Sequence, residues 1–355
     1  MDTRKKIKFG VIGAGKIGNY HCRTLSQMEE TELVAIADIN HARAQKLGWK
    51  YNAMAYQDYK AIFPQVDAVI IAVPTEFHAS TALEAIKKKK HVLIEKPITD
   101  SVEDAKLLLE ASEKAGIVLQ VGHVERFNSA VIETMKYIKK PKFVVIERLG
   151  PFDPRVAGIG VTLDLMIHDI DLVLAMIKSR IESFEAIGAS LLSEHEDIAN
   201  VRIRFKNGAV ADITASRITL EKSRRMRVYQ EDSYISVNYV SSLMKIYRKK
   251  NPVVKSLDDI EVVFPKIETK QPIKEEILHF IDCINNSKKP LASGERGLEA
   301  LKLTLEITEA LKKYELKQPN KLFSKNSLFQ SLVDVGKVTR VFIEEKLKDS
   351  GIEKS

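Results

Sequence analysis

Short apolar runs and amphipathic stretches alternate over the first third of the chain. The pattern predicts strands at Ile7–Ile12, 33–38, 68–73, His91–Glu95 and 118–121, with helices at 18–28, 42–47, 79–88 and 101–115 between them. The strand runs are continuously apolar, as expected of strands covered on both faces. Strand and helix taken in turn predict a parallel sheet. Asp100 is placed to cap the fourth helix, with Glu103 reaching back and Gly116 ending it.

The pattern changes after Pro141. A strand over 142–148 leads through a Gly- and Pro-containing loop (150–160) into an apolar helix over 163–177. Strands then follow one another at 201–205, Val210–Ser216, 227–230, 234–239 and 243–247, and Asn207-Gly208 marks a tight hairpin between the first two. Helices over 275–285 and Gly294–Lys313 are placed to pack back on the whole. Beyond Pro319, Leu328, Leu332, Val335, Val338 and Phe342 recur at helical spacing and predict an appended helix.

With 355 residues, 45% of them hydrophobic, the chain has enough for two cores. The net charge of +8 is spread among 48 acidic residues rather than gathered in one arm. The one run, Lys87 to Lys90, ends a predicted helix, where cations suit the dipole. Nucleic acid is therefore not an expected partner, while an anionic small substrate suits the charge. Two cysteines, Cys22 and Cys283, make neither a disulfide framework nor a metal spacing, and no metal is expected. The start lacks the apolar core of a signal peptide and no run is long enough to span a bilayer, so the expected location is the cytoplasm, away from membranes.

Gly13-Ala14-Gly15-Lys16-Ile17-Gly18 follows a predicted strand and opens a predicted helix, the setting in which a GxGxxG run binds a dinucleotide. Gly13 permits the turn, Gly15 lets backbone approach a pyrophosphate, and Gly18 lets helix pack on strand. Asp38 ends the second strand where a carboxylate accepts from ribose hydroxyls and repels a 2′-phosphate, so NAD is expected ahead of NADP; Arg43 nearby weakens that preference. The fold class expected is an N-terminal Rossmann doubly wound parallel sheet (1–122), then an open antiparallel sheet with helices on one face (123–318) and the appended helix (319–355). Lys96, held before Pro97, projects at the carboxyl end of the sheet, where ligands of such sheets bind. In the apolar helix over 163–177, Asp164, His168 and Asp171 fall at i, i+4 and i+7 on one stripe. Ionisable groups in line on a buried helix are unfavourable unless paired, and they mark a catalytic stripe.

Taken together, VIGAGKIG (11–18), AVPTEFHA (72–79), IEKPI (94–98), VGHVERFN (121–128) and DLMIHDIDL (164–172) resemble the glucose–fructose oxidoreductase, inositol dehydrogenase and MocA family of two-domain sugar dehydrogenases. The resemblance covers about residues 7 to 315 and leaves the tail outside it. It implies that Lys96, Asp164 and His168 act on a substrate hydroxyl, and that Pro74, Thr75, His78 and Glu95 line the nicotinamide side of the cofactor. In such a reaction the cofactor takes a hydride and a base takes the proton. His168, oriented by Asp164, suits the base, with Lys96 bonded to the reacting oxygen; Lys96 as the proton carrier is the other assignment. His123, Glu125, Arg126 and Asn128 at the interdomain connection, with Arg155 in the following loop, offer polar groups to a sugar or phosphate. VGHVERFN and LGPFDPR (149–155) resemble most the branch that oxidises the 3-hydroxyl of UDP-N-acetylglucosamine, whose 3-keto product goes to a pyridoxal-phosphate aminotransferase. Inositol, a free sugar or another nucleotide sugar are the other substrates, and an NAD-sensing regulator is the non-enzymatic alternative. A homodimer or homotetramer is expected, because an antiparallel sheet with helices on one side leaves its other face to be covered.

Overall fold

The computed structural model describes residues 6–313, apart from the side chains of Arg155 and Lys313; the helix expected over 319–355 lies outside the described residues. The first unit runs β1 (Ile7–Ile12), α1 (Lys16–Leu25), β2 (Thr31–Ala37), α2 (His41–Tyr51), β3 (Met54–Tyr56), β4 (Ala68–Ile71), α3 (His78–Lys87), β5 (His91–Glu95), α4 (Val102–Ala115) and β6 (Leu119–Gly122). Its six strands are all parallel, in the order β3-β2-β1-β4-β5-β6. All four residues of β4 are fully buried, as the unbroken apolar run predicts. The order reverses direction beside β1, which opens a crevice at the carboxyl ends of β1 and β4, the topological switch point. The α4 cap differs from expectation: Ser101, not Asp100, accepts from the Asp104 N–H (3.1 Å), while Gly116 closes the helix at φ +67°.

The second unit begins with α5 (Ser129–Met135) and β7 (Phe143–Leu149). A widened π turn, Thr162–Met166, then runs into α6 (Ile167–Met176), so the predicted 163–177 helix is not uniform. There follow β8 (Ile181–Ala189), β9 (Ile198–Phe205), β10 (Val210–Ser216), β11 (Ser223–Tyr229), β12 (Ser233–Asn238), β13 (Leu243–Lys249) and β14 (Ile260–Val263). These pair in the order β14-β13-β12-β11-β7-β10-β9-β8. The sheet is antiparallel except where β7 lies parallel to β10. Gly208, at φ +80°, makes the expected turn between β9 and β10.

Two closing helices, α7 (Pro272–Asn286) and α8 (Gly294–Lys313), tie the units together. Ile277, Phe280 and Ile281 of α7 join Phe9, Cys22 and Leu25 in the first core. On α8, Leu301 enters the first unit's core, whereas Leu303, Ile307 and Leu311 enter that of the second. One helix therefore buries its apolar positions in both cores and fixes the cleft between the sheets. Among the described residues no helix is long and apolar enough to cross a membrane, and no group of three or more His, Cys, Asp or Glu could hold a metal ion.

Candidate active site

The glycine turn after β1 shows why each glycine is where it is. Gly13 sits at φ +104°, and a Cβ there would strike the Ala72 carbonyl at the end of β4. A Cβ at Gly18 would strike the Gly13 carbonyl oxygen, so helix and turn close only on a bare backbone. At Gly15 a Cβ would meet nothing within 4 Å, and α1 starts with no side-chain cap. The first-turn N–H groups, beside exposed Lys16 and Ile17, are thus open to phosphate oxygens. Asp38 accepts from the Ala14 N–H (2.7 Å) and the Asn40 N–H (2.8 Å), which fixes its carboxylate at the mouth of the turn. Each oxygen keeps further accepting capacity for ribose hydroxyls. Arg43 is exposed on the first turn of α2. Open backbone, free N–H groups and a held carboxylate fit a dinucleotide of the NAD type.

Pro74 and Thr75 form the turn after β4. His78 is buried behind it, with Nδ1 2.8 Å from the Pro97 carbonyl and Nε2 3.0 Å from the Val73 carbonyl. Burial lowers its pKa against the pull of those carbonyls. His78 thereby pins the ends of β4 and β5 to one another. At the end of β5, Glu95 accepts from Nε2 of the buried His21 on α1 (2.7 Å). Burial opposes its ionisation, but the His21 bond and the charge of Lys96 leave the carboxyl below its ordinary range.

Lys96 crosses to the second unit. Its Nζ donates to the carbonyl oxygen of Asp164 (2.5 Å), lies 3.5 Å from that of Leu163, and stands 3.6 Å from Asp164 Oδ1. The π turn presents both carbonyls to the lysine; such widened turns occur often at functional sites. Burial lowers the Lys96 pKa from the lysine range, while Asp164 and Glu95 resist. His168, one turn on, is half-buried, with Nδ1 enclosed and without a partner among the described residues. Burial, then the charges of Lys96, Arg148 and Arg224, hold it well below the usual imidazole range. The buried His123 ring lies edge-on at 6.3 Å, and neither of its nitrogens has a partner among the described residues.

Lys96, Asp164, His168 and His123 thus converge. The third residue of the expected stripe does not join them: Asp171 takes a two-pronged bond from Arg126 (2.6 and 2.7 Å). Asp164 faces Lys96, and no hydrogen bond links it to His168 among the described residues. Glu125 lies in a buried network, its Oε1 accepting from Arg148 (2.7 Å) and Arg224 (2.9 Å). Asn128 caps α5 by accepting from the Ala130 N–H (3.0 Å). Arg155 falls in a short turn, Pro154–Val156, with its side chain outside the described residues.

Sequence reasoning passed over His21, Arg148, Asp169 and Arg224. Arg148 carried a signal: it continues the inward alternation of Val144 and Ile146 on β7, where an apolar residue is expected. Asp169 answers it, accepting from Nε and Nη2 of Arg148 at 2.7 Å each.

A dinucleotide-binding edge facing a lysine, a carboxylate and an uncharged imidazole defines an NAD-dependent Rossmann oxidoreductase. Residues 7–123 match the oxidoreductase family with an NAD-binding Rossmann fold, and residues 147–236 match the GFO/IDH/MocA C-terminal domain. The chain belongs to the GFO/IDH/MocA family. It is 29% identical over 313 residues to the UDP-N-acetylglucosamine 3-dehydrogenase of Acidithiobacillus ferrooxidans, covering 87% of this chain and 98% of that protein. The solved structure of that enzyme superposes with a TM-score of 0.83 over 88% of this chain and 99% of the other. The myo-inositol 2-dehydrogenase of Thermotoga maritima is 28% identical over 317 residues, 84% of this chain and 94% of the relative.

Proposed function

We propose that the protein oxidises a secondary hydroxyl of a sugar with NAD, and that its substrate is UDP-N-acetylglucosamine, oxidised at the 3-hydroxyl to a 3-keto nucleotide sugar ready for amination. The observation that carries the chemistry is the meeting of Lys96, Asp164 and His168 at the carboxyl end of β5. When bound, NAD supplies the hydride acceptor. His168 is neutral at ordinary pH and takes the hydroxyl proton on a ring nitrogen. Lys96, anchored by the Asp164 carbonyl, donates to the reacting oxygen and stabilises the negative charge that builds there. Asp164 balances the lysine's charge. Asp38 and the Gly13–Gly18 turn hold the cofactor, and His78, Glu95 and His21 set the strand ends that face it. The nucleotide-sugar assignment is supported by the likeness to the Acidithiobacillus enzyme over nearly its whole length and by the surplus of basic residues.

The same reading includes homo-oligomerisation. Tyr229, Tyr234 and Tyr247 form a ladder on the sheet face turned away from the helices, with ring centroids 4.8 and 5.6 Å apart. Light scattering giving a monomer would remove this part.

The test follows absorbance at 340 nm with NAD, a ketone trap and either UDP-N-acetylglucosamine or myo-inositol. NADH formation with the nucleotide sugar that disappears in Lys96→Ala is the expected result. Turnover of myo-inositol alone would overturn the substrate while leaving the dehydrogenase.

A further inference from the structure

β7 and β11 are antiparallel neighbours, and their register sets Arg148 directly opposite Arg224. Both lie on the inward face, in line with buried Ile146 and Met226. Like charges opposite each other across a sheet repel unless something intervenes. For Arg148 the protein provides fully: Asp169 takes two bonds and Glu125 a third. Arg224 shares the same Glu125 oxygen, at 2.9 Å, and its Nε is buried with no partner among the described residues. Lys222 stands two residues earlier on the same strand end. Burial and the neighbouring Arg148 lower the Arg224 pKa, and the charge of Arg224 lowers that of Lys222. Three cations thus face two carboxylates, Glu125 and Asp169.

The surplus lies beside the reaction centre. His168 feels the charges of Arg148 and Arg224. The Tyr239 hydroxyl, on a residue only 5% exposed, adds a second enclosed polar atom without a partner among the described residues, and the Tyr239 backbone N–H donates to the Arg224 carbonyl (3.0 Å). Glu125 occupies one nitrogen of the Arg224 guanidinium, and with 29% of the side chain exposed the rest of the group is within reach of a ligand's acceptor.

We infer that Arg224 and Lys222 form the subsite for a phosphoryl group of the substrate, the exposed part of the Arg224 guanidinium and the exposed Lys222 ammonium meeting its oxygens. This rests on the nucleotide-sugar reading and assigns where its diphosphate is held. The guanidinium fork suits two phosphoryl oxygens, and Lys222 adds a point charge at the solvent side.

The experiment uses the full chain with saturating NAD. UDP binding is measured by calorimetry, and turnover with UDP-N-acetylglucosamine, N-acetylglucosamine 1-phosphate and myo-inositol. Lys222→Gln is expected to weaken UDP binding and raise KM for the nucleotide sugar about tenfold, ~1.4 kcal/mol, with the effect on KM rather than kcat. Arg224→Gln does the same more strongly, and Arg224→Lys restores part of it. Lys222→Gln makes the test independent of whether Arg224→Gln folds, because Lys222 is exposed. Wild-type enzyme that binds UDP, with both substitutions leaving UDP affinity and KM at wild-type values, overturns the subsite and leaves the substrate reading intact. Wild-type enzyme that ignores UDP and turns over myo-inositol overturns both. A preference for N-acetylglucosamine 1-phosphate that still depends on Lys222 keeps the subsite and removes the nucleotide.

Discussion

Asp169→Asn is the most exacting test of how the second unit holds α6, the helix that carries His168. Asp169 is fully buried and Arg148 2% exposed, with two bonds of 2.7 Å between them. Burial opposes both charges and raises the Asp169 pKa against the pull of Arg148, but Asp169 and Glu125 together push that of Arg148 above the ordinary range, so the guanidinium stays protonated. The asparagine keeps the shape, removes the charge, and turns an NH2 group toward the guanidinium. Two arginines then share Glu125 alone. Breaking one side of a buried pair costs about 3–5 kcal/mol, and the surviving Glu125 bond places this case near ~3. For a unit of this size that is roughly 6–12 °C in melting temperature.

The assay is a thermal melt followed by circular dichroism, alongside turnover, because Asp169 adjoins His168 and kcat should fall with stability. A companion pair makes the reasoning strict. Asp169→Leu strands Arg148, whereas Asp169→Leu with Arg148→Met leaves Glu125 to neutralise Arg224. The double variant should therefore be more stable than the single. A single variant melting with the parent, or a double variant no better than the single, would refute the claim that these ion pairs hold α6 to the sheet.

Three more expectations follow from the geometry. The pH profile of kcat/KM should fall on the acid side only well below the ordinary imidazole range, because His168 must be neutral to act and its pKa is depressed; the alkaline fall, as Lys96 loses its proton, should come below the ordinary lysine value. Rates measured from about pH 5 to about pH 10 test both limbs, and an acid limb that survives unmoved in His168→Asn would contradict the assignment. Lys96→Ala should lower kcat about 10²–10⁴-fold while NAD binding, read by fluorescence, persists. Gly13→Ala should lose NAD binding, since φ +104° and the Ala72 carbonyl leave no place for a methyl group; binding at wild-type strength would show that the turn can relax.

The Rossmann unit was legible except for β3, a three-residue edge strand with no buried position: the other strands read as apolar runs, helices show one apolar face, and Gly13, Gly15, Gly18 and Asp38 fall in register with both. The second unit was legible only in part. β8 was missed because a bulge between Ile181 and Ser183 shifts its start and outward Ile187 beside inward Ala186 and Gly188 blurs its polarity, and β14 because four edge residues, two half-buried and two exposed, carry little pattern. The parallel pairing of β7 with β10 is a long-range choice that no local spacing states. The convergence of Lys96, Asp164 and His168 was readable. The fate of Asp171 was not, because whether a carboxylate on a helix faces a substrate or an arginine is decided by the element opposite. The π turn likewise hides in a sequence that reads as plain helix.

The helix itself supplies the last step. Between Thr162 and Met176 the chain carries four ionisable side chains in an otherwise apolar stretch. Each carboxylate goes in a different direction. Asp164 meets Lys96 of the first unit, Asp169 meets Arg148 of the sheet, and Asp171 meets Arg126 of the interdomain connection. Three ion pairs so divided fix both the rotation and the translation of the helix relative to the cofactor sheet. The fourth group, His168, is left with an enclosed nitrogen and no partner among the described residues. A folding requirement would have supplied one, as it did three times within the same stretch. With Nδ1 enclosed, Nε2 is the ring nitrogen at which His168, held neutral beside the anchored lysine, takes the hydroxyl proton in the reaction we propose.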